Sequence, residues 1–468
     1  MGSSKSKVSS ENTEPQGGRS GQISLFPLGG RPVSASFSLE RVSSDGGALL
    51  LREVDNFTGL LEAFAGAISD GRDQRYVKHG LVTMLRQRVF QIACGYEDAN
   101  DCNTLKADPV FKVCAGQSPF SSGDLSSQPT MSRLENSVTR TDLYRVAVAF
   151  GERFVASYPS EPPIIFLDCD DTDNEAHGGQ QGCLFNGYYG EHCLMPMHIF
   201  EGQSGKHVTT VLRPGRRAKG AEALSILRRV IGFIRLHWKN TVIVMRGDGH
   251  FCSHEFMEWA AGQRNVHFIT GLAGNAVLLR NVETTLKSAK GLFERKHPIA
   301  IGSTVKLYHS FTYKAGSWKM AQHVVAKVEY SPLGANIRFI VTDLKDYRAS
   351  HLYEKGYCVR GNAELMIKDH KLHLKSDRSS CHRFEANQFR LFLHSAAYIL
   401  IHTLQKEALH ATELVNATMR TVQLKLLKVA AKVTEFKTRI RVEFPVRFPG
   451  QQAVEAACGV FAALRSSG

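Results

Sequence analysis

Two short apolar runs, each ending in aspartate, constrain this 468-residue chain more than any other feature. Ile164-Ile-Phe-Leu167 leads into Asp168-Cys-Asp-Asp-Thr-Asp173, and Thr241-Val-Ile-Val-Met245 leads into Arg246-Gly-Asp-Gly-His250. Neither run alternates with polar residues, and neither is long enough for a helix. Both therefore read as strands buried on two faces, the kind found in α/β domains.

Their neighbours extend the pattern. Leu194 to Phe200 and His207 to Leu212 read as two further strands, joined by the turn Gly202-Gln-Ser-Gly205. An amphipathic helix follows from about Ala221 to Trp238, with Leu224, Leu227, Val230, Ile231 and Ile234 on one side. A helix near His254–Gly262 and a strand near Val266–Leu272 come after the second aspartate. Three strands, a helix, a strand, a helix and a strand make a mixed α/β, ribonuclease-H-like layout. Period-two alternation between about Ser303 and Asp343 adds an inserted β region. Phe384 to Val433 reads as helical, and Ile440 to Phe448 as a late strand pair.

Upstream, Asp70 to Gln117 is helical in pattern, with Leu81, Met84, Leu85, Val89, Ile92 and Ala93 at three- and four-residue steps. The stretch Ser126 to Glu135 reads as a capped helix start. It resembles the second helix of a helix-turn-helix, with Arg133 as a DNA contact; an ordinary bundle helix is the alternative. The first 22 residues read as a disordered tail. Its Met1-Gly-Ser-Ser-Lys-Ser6 fits an N-myristoylation pattern that we set aside as too short.

The chain carries 58 Lys and Arg against 44 Asp and Glu, a net +14. That excess favours a polyanionic partner. Ten scattered cysteines form no CxxC pair and read as reduced thiols. No apolar run reaches the ~18 residues of a membrane span, so no membrane is expected.

A second constellation lies far downstream. In Tyr357-Cys-Val-Arg-Gly-Asn-Ala-Glu-Leu-Met-Ile-Lys-Asp-His-Lys371, residues Tyr357, Arg360, Glu364 and Lys371 are spaced three, four and seven apart. On a helix they would share one stripe. A solvated surface helix has the same spacing, and Gly356 and Gly361 weaken the helix. Aspartates at two strand ends change the balance. In a sheet of this order those strands are neighbours, so Asp170 and Asp248 meet at one edge and Glu364 can close a site. Three carboxylates without thiol or histidine partners suit Mg²⁺ or Mn²⁺. Asp168 lies on the same strand face as Asp170 and is a further candidate ligand.

These motifs resemble the DDE transposases of bacterial insertion sequences. Tyr357-x2-Arg360-x3-Glu364-x6-Lys371 matches the family's Tyr-Arg-Glu-Lys signature, Asp170-Asp-Thr172 its first Asp-x-Thr, and Arg246-Gly-Asp248 its second aspartate. The resemblance runs from about Ser44 into the C-terminal region and implies two Mg²⁺ ions, terminal inverted repeats as ligand and a homodimeric synaptic complex. It implies catalysis by Asp170, Asp248 and Glu364, with Tyr357, Arg360 and Lys371 on the DNA. The implied setting is a bacterial cytoplasm. Trp318 would stack on a flipped base, or else lie in the core. Arg213, Arg216, Arg217 and Lys219 would follow phosphates, or else form a solvated loop.

The resulting organisation is a tail over 1–22, a mainly helical DNA-binding region over 23–155 and the first half of the core over 156–272. The β insertion spans 273–350, the glutamate helix returns over 351–410, and a helical and β region fills 411–468. A basic DNA-binding protein with the same fold but no chemistry is the alternative.

Overall fold

The computed structural model describes residues 23–216, 220–296 and 303–467; the 1–22 tail, Arg217 and Lys219 lie outside them. Two compact units appear, Met1–Val42 and Ser43–Gly468. In the first, Ile23–Leu28 and Arg31–Ala35 pair as an antiparallel hairpin.

The larger unit is built on a mixed eight-stranded sheet. Its strands are β1 (Ile164–Asp171), β2 (Met197–Glu201), β3 (His207–Val211), β4 (Val242–Gly247), β5 (Val266–Leu272), β6 (Val305–Tyr313), β7 (Gln322–Ser331) and β8 (Gly334–Thr342). Their order across the sheet is β6-β7-β8-β5-β4-β1-β2-β3. β4 runs parallel to both β1 and β5, while β2, β3 and the β6–β8 meander are antiparallel to their neighbours. The meander thus lengthens the sheet on the β5 side rather than forming a separate layer.

Odd positions of β1 and β4 (Ile165, Leu167, Ile243, Met245) face a core with Leu227, Ile231 and Ile234 of α1 (Gly220–His237) and Phe256 and Met257 of α2 (His254–Ala261). Even positions (Ile164, Phe166, Val242, Val244) face the segment carrying Leu352, Tyr353 and Tyr357. Both faces are covered, which is why the strands read as unbroken apolar runs.

The second expected strand breaks at Met195-Pro196. Leu194 ends a small separate sheet, and Met197 opens β2. Proline has no N–H to give a ladder. At the other end, Ala431–Glu435 is a strand paired with Ile440–Glu443, where helix was expected up to Val433. Ala431 and Val433 are buried and Lys432 is exposed, so the period there is two.

Helices from both ends of the unit share one core around Phe384–Thr403, which is buried on nearly every side. Phe64, Phe150, Phe389 and Phe392 meet edge-to-face at 5.3 to 5.7 Å. No helix among the described residues is long and apolar enough to cross a membrane, and all ten cysteines are free thiols.

Candidate active site

Parallel pairing of β1 and β4 sets the site rung by rung. Val244 lies opposite Phe166, Arg246 opposite Asp168, and Gly247 opposite Cys169. The next residues, Asp170 and Asp248, therefore stand side by side where the strands end. Period two puts Asp168, Asp170, Arg246 and Asp248 on one face.

The lower rung is a closed ion pair. Arg246 Nε donates to Asp168 Oδ1 at 2.5 Å and Nη2 to Oδ2 at 2.7 Å, both side chains buried. Nη1 donates to the Gly356 carbonyl at 2.9 Å, and the guanidinium lies 4.6 Å from the Phe166 ring centre. Asp168, a candidate metal ligand in the sequence, has both oxygens committed to this bidentate pair. It braces the site from below.

On the upper rung, Arg360 Nη1 donates to Asp170 Oδ2 at 2.9 Å. Burial pushes the Asp170 carboxyl up to about 6; Arg360 opposes that shift and the Asp248 charge adds to it. Asp248 is one-third exposed and accepts from the His250 amide at 2.8 Å. Glu364 is mostly exposed, with Oε1 3.7 Å from Arg360 Nη2. Buried Arg360 Nε has no hydrogen-bond partner.

The signature segment is helical but irregular. A π-helical stretch, Leu352–Tyr357, leads through a 3₁₀ turn into α3 (Gly361–Lys368), and a second π stretch covers Asp369–His373. The expected stripe at 100° per residue is therefore not uniform. Tyr357 and Arg360 turn towards the sheet, Glu364 points outward, and Lys371 returns to the first-strand loop. There Lys371 Nζ donates to Asp173 at 2.9 Å and to Thr172 Oγ1 at 3.2 Å. The glycine that weakened the helix on paper lets it sit close to the sheet: a Cβ at Gly356 would lie 2.9 Å from Ile269 Cδ1. A Cβ at Gly271 would likewise meet the Tyr357 hydroxyl at 2.9 Å. Burial, with Asp248 adding, raises the Tyr357 phenol.

Other candidates fall elsewhere. Trp318 is 8% exposed and packs edge-on against Tyr313 at 5.5 Å, which fits the core alternative. Arg213 is buried and pairs with Asp171 at 2.5 Å on the opposite strand face, where an otherwise lone carboxylate needs it. It is not a surface phosphate contact. Arg216 is half-exposed, 3.2 Å from Glu222, and Arg133 is exposed on its helix.

The acids at the edge, Asp170, Asp248 and Glu364, offer oxygen ligands, which fit a hard divalent cation, with His250 Nδ1 3.7 Å from Asp248 Oδ2. Among the described residues no three His, Cys, Asp or Glu side chains already form a ligand cluster; the Arg360 guanidinium stands between Asp170 and Glu364.

The family model for transposase DDE domain group 1 matches residues 26–466. The chain belongs to that transposase family. Among solved structures, a piggyBac transposase synaptic complex with hairpin DNA is similar at 12% identity and a TM-score of 0.42, over 87% of this chain and 83% of that one. No curated protein matches the chain. Sequence reasoning on this transposase missed the Arg246–Asp168 brace. Arg246 and Asp168 both lie two residues before a candidate acid, a matched offset that would have placed them opposite each other.

Proposed function

We propose that this chain is an active transposase of the bacterial insertion-sequence type, with a ribonuclease-H-like core and Tyr357, Arg360, Glu364 and Lys371 as its signature. It binds the terminal inverted repeats of its element as a homodimer, cleaves DNA phosphodiesters and joins the 3′-OH ends to target DNA. The observation that supports this best is the position of Asp170 and Asp248 side by side at the ends of adjacent strands, with Arg360 reaching from Asp170 to Glu364.

Asp170, Asp248 and Glu364 would hold two Mg²⁺, with Mn²⁺ able to substitute. Held there, such ions would supply activation of a water or a 3′-hydroxyl and neutralisation of charge on the leaving oxygen. In hydrolysis the water oxygen bonds to phosphorus and the P–O3′ bond breaks, leaving a 3′-OH and a 5′-phosphate. In joining, that 3′-OH would bond to a target-strand phosphorus while the target's own P–O3′ bond breaks and releases a target 3′-OH. Arg360, which bonds Asp170 and faces Glu364, would grip the phosphate through its guanidinium. Lys371 holds the flanking phosphate, Tyr357 fixes the strand, and the Arg246–Asp168 brace keeps both strand ends in register. The net +14 charge favours association with DNA in the bacterial cytoplasm.

A supercoiled plasmid carrying the element's ends tests this, incubated with Mg²⁺ or with EDTA. Wild type should cut at the ends only with Mg²⁺, and Glu364→Gln should bind them without cutting. Wild-type binding that never yields metal-dependent cuts favours a protein that keeps the fold without the chemistry.

A further inference from the structure

A small hairpin rises beside the acids. Leu184–Asn186 and Glu191–Leu194 pair antiparallel, and Asn174–Glu175 joins the outer side. Its tip is Gly187-Tyr188-Tyr189-Gly190. Tyr188 is 82% exposed and Phe185 60%. Large apolar surface on an outward loop is unusual without a partner.

The tip is rigid. Asn186 takes the Tyr188 amide on Oδ1 at 3.0 Å and gives its Nδ2 to the Gly215 carbonyl at 3.1 Å. The Gly190 amide closes the turn onto the Asn186 carbonyl at 2.8 Å, with Gly190 at φ +76°. At Gly215 a Cβ would fall 1.9 Å from the Cys193 carbonyl oxygen, so that loop presses directly on the hairpin. A floppy tip would need none of this bracing.

Its position is specific as well. Tyr188 and Tyr189 stand edge-to-face at 5.0 Å, and Tyr188 meets the His250 ring at 6.5 Å. His250 is two residues beyond Asp248. Tyr189 lies close enough to Asp173, Asp171 and Asp170 that, after burial, their charges help raise its phenol to about 12. Aromatic rings that project from a braced tip beside the acids present a stacking surface. In duplex DNA a base offers its π-face only at an end or where a pair has opened.

Resting on the proposed function, we infer that the Tyr188–Tyr189 tip is a stacking platform for an unpaired base next to the phosphate held at Asp170 and Asp248. It would favour DNA whose end is frayed or single-stranded, and Tyr188 acts as a positioning residue without touching the reacting atoms.

The probe is a pair of fluorescein-labelled duplexes of unrelated sequence, one blunt and one with a three-nucleotide overhang containing 2-aminopurine, bound in Ca²⁺ to prevent cutting. Stacking on an aromatic side chain is worth about 5- to 150-fold in affinity per base. Wild type and Tyr188→Phe should prefer the overhang by a factor in that range and quench the 2-aminopurine. Tyr188→Ala should lose both effects while binding the blunt duplex as before; its exposure makes misfolding no explanation. Wild type binding both duplexes equally, or Tyr188→Ala keeping the preference and the quenching, would overturn the platform and leave the transposase reading intact. Wild type binding neither duplex would overturn that reading, and the platform with it.

Discussion

Arg360 couples Asp170 to the glutamate helix: its Nη1 lies 2.9 Å from Asp170 Oδ2 while Nη2 stands 3.7 Å from Glu364 Oε1. One guanidinium thus screens two carboxylates that would otherwise repel each other and Asp248. In the proposed reaction the same group would grip a phosphate.

Arg360→Gln should therefore separate two properties. Cleavage should fall by about two orders of magnitude, the typical cost of removing one donor to developing charge. Mn²⁺ affinity, read by calorimetry, should hold or rise because a competing cation is gone. A parallel loss of Mn²⁺ binding would show that Arg360 organises the acids rather than the phosphate.

The Arg246–Asp168 pair is a stability feature. Arg246→Met leaves Asp168 buried and unpaired, and should cost about 3–5 kcal/mol in urea denaturation. Adding Asp168→Leu should restore most of that loss. A full-stability Arg246→Met protein would contradict the bracing role.

Trp318 should also report on folding. Trp318→Ala should cost about 3–5 kcal/mol, and Trp318→Phe much less. Affinity for DNA below the melting temperature should not change in either. Weaker binding by a fully folded Trp318→Phe would restore the base-stacking role that its burial argues against.

Stability should fall with acid below about pH 6.5. His370 is buried, donating to or accepting from Ser376 at 2.7 Å and Ser395 at 3.0 Å, and burial lowers it to about 3. His402 is lowered to about 4, and His198, His207 and His394 also move down. A histidine depressed on folding binds its proton more readily when unfolded, so its contribution is complete above the unfolded value near 6.5 and drains away below it. Asp170 acts in the opposite direction over roughly pH 4–6, since its raised carboxyl favours the folded state in acid. Asp101, Asp108, Asp168, Asp171 and Glu191 are raised as well, but from pH 8 downward the buried histidines lose their contribution first, so stability falls before the carboxylates act. Melting temperature measured from pH 8 to 4 should fall, and His370→Gln should flatten the curve. A melting temperature that rises on acidification would contradict this account.

Much of this was legible in the chain. The buried strands, their aspartates and the order of elements followed from unbroken apolar runs, because strands covered on both faces leave no polar alternation. What sequence could not carry was register and helix irregularity. Asp168 and Asp170 look equivalent by alternation, and only pairing with β4 assigns Asp168 to Arg246 and leaves Asp170 beside Asp248. The even stripe from Tyr357 to Lys371 assumed 3.6 residues per turn, which two π stretches defeat. Arg213 read as a surface cation since its ion pair with Asp171 spans 42 positions of sequence. Gly356 counted against a helix because its reason, contact with Ile269, lies on another strand.

The central claim is that Asp170 and Asp248, but not Asp168, hold the catalytic ions. Metal rescue tests it most directly, using cysteine, whose thiolate binds Mn²⁺ better than Mg²⁺. The measurement is end cleavage by Asp170→Cys, Asp248→Cys and Asp168→Cys in each metal. The first two should be inactive in Mg²⁺ and partly recover in Mn²⁺, while Asp168→Cys should show no switch between metals. Rescue of Asp168→Cys with none for the other two would contradict the assignment.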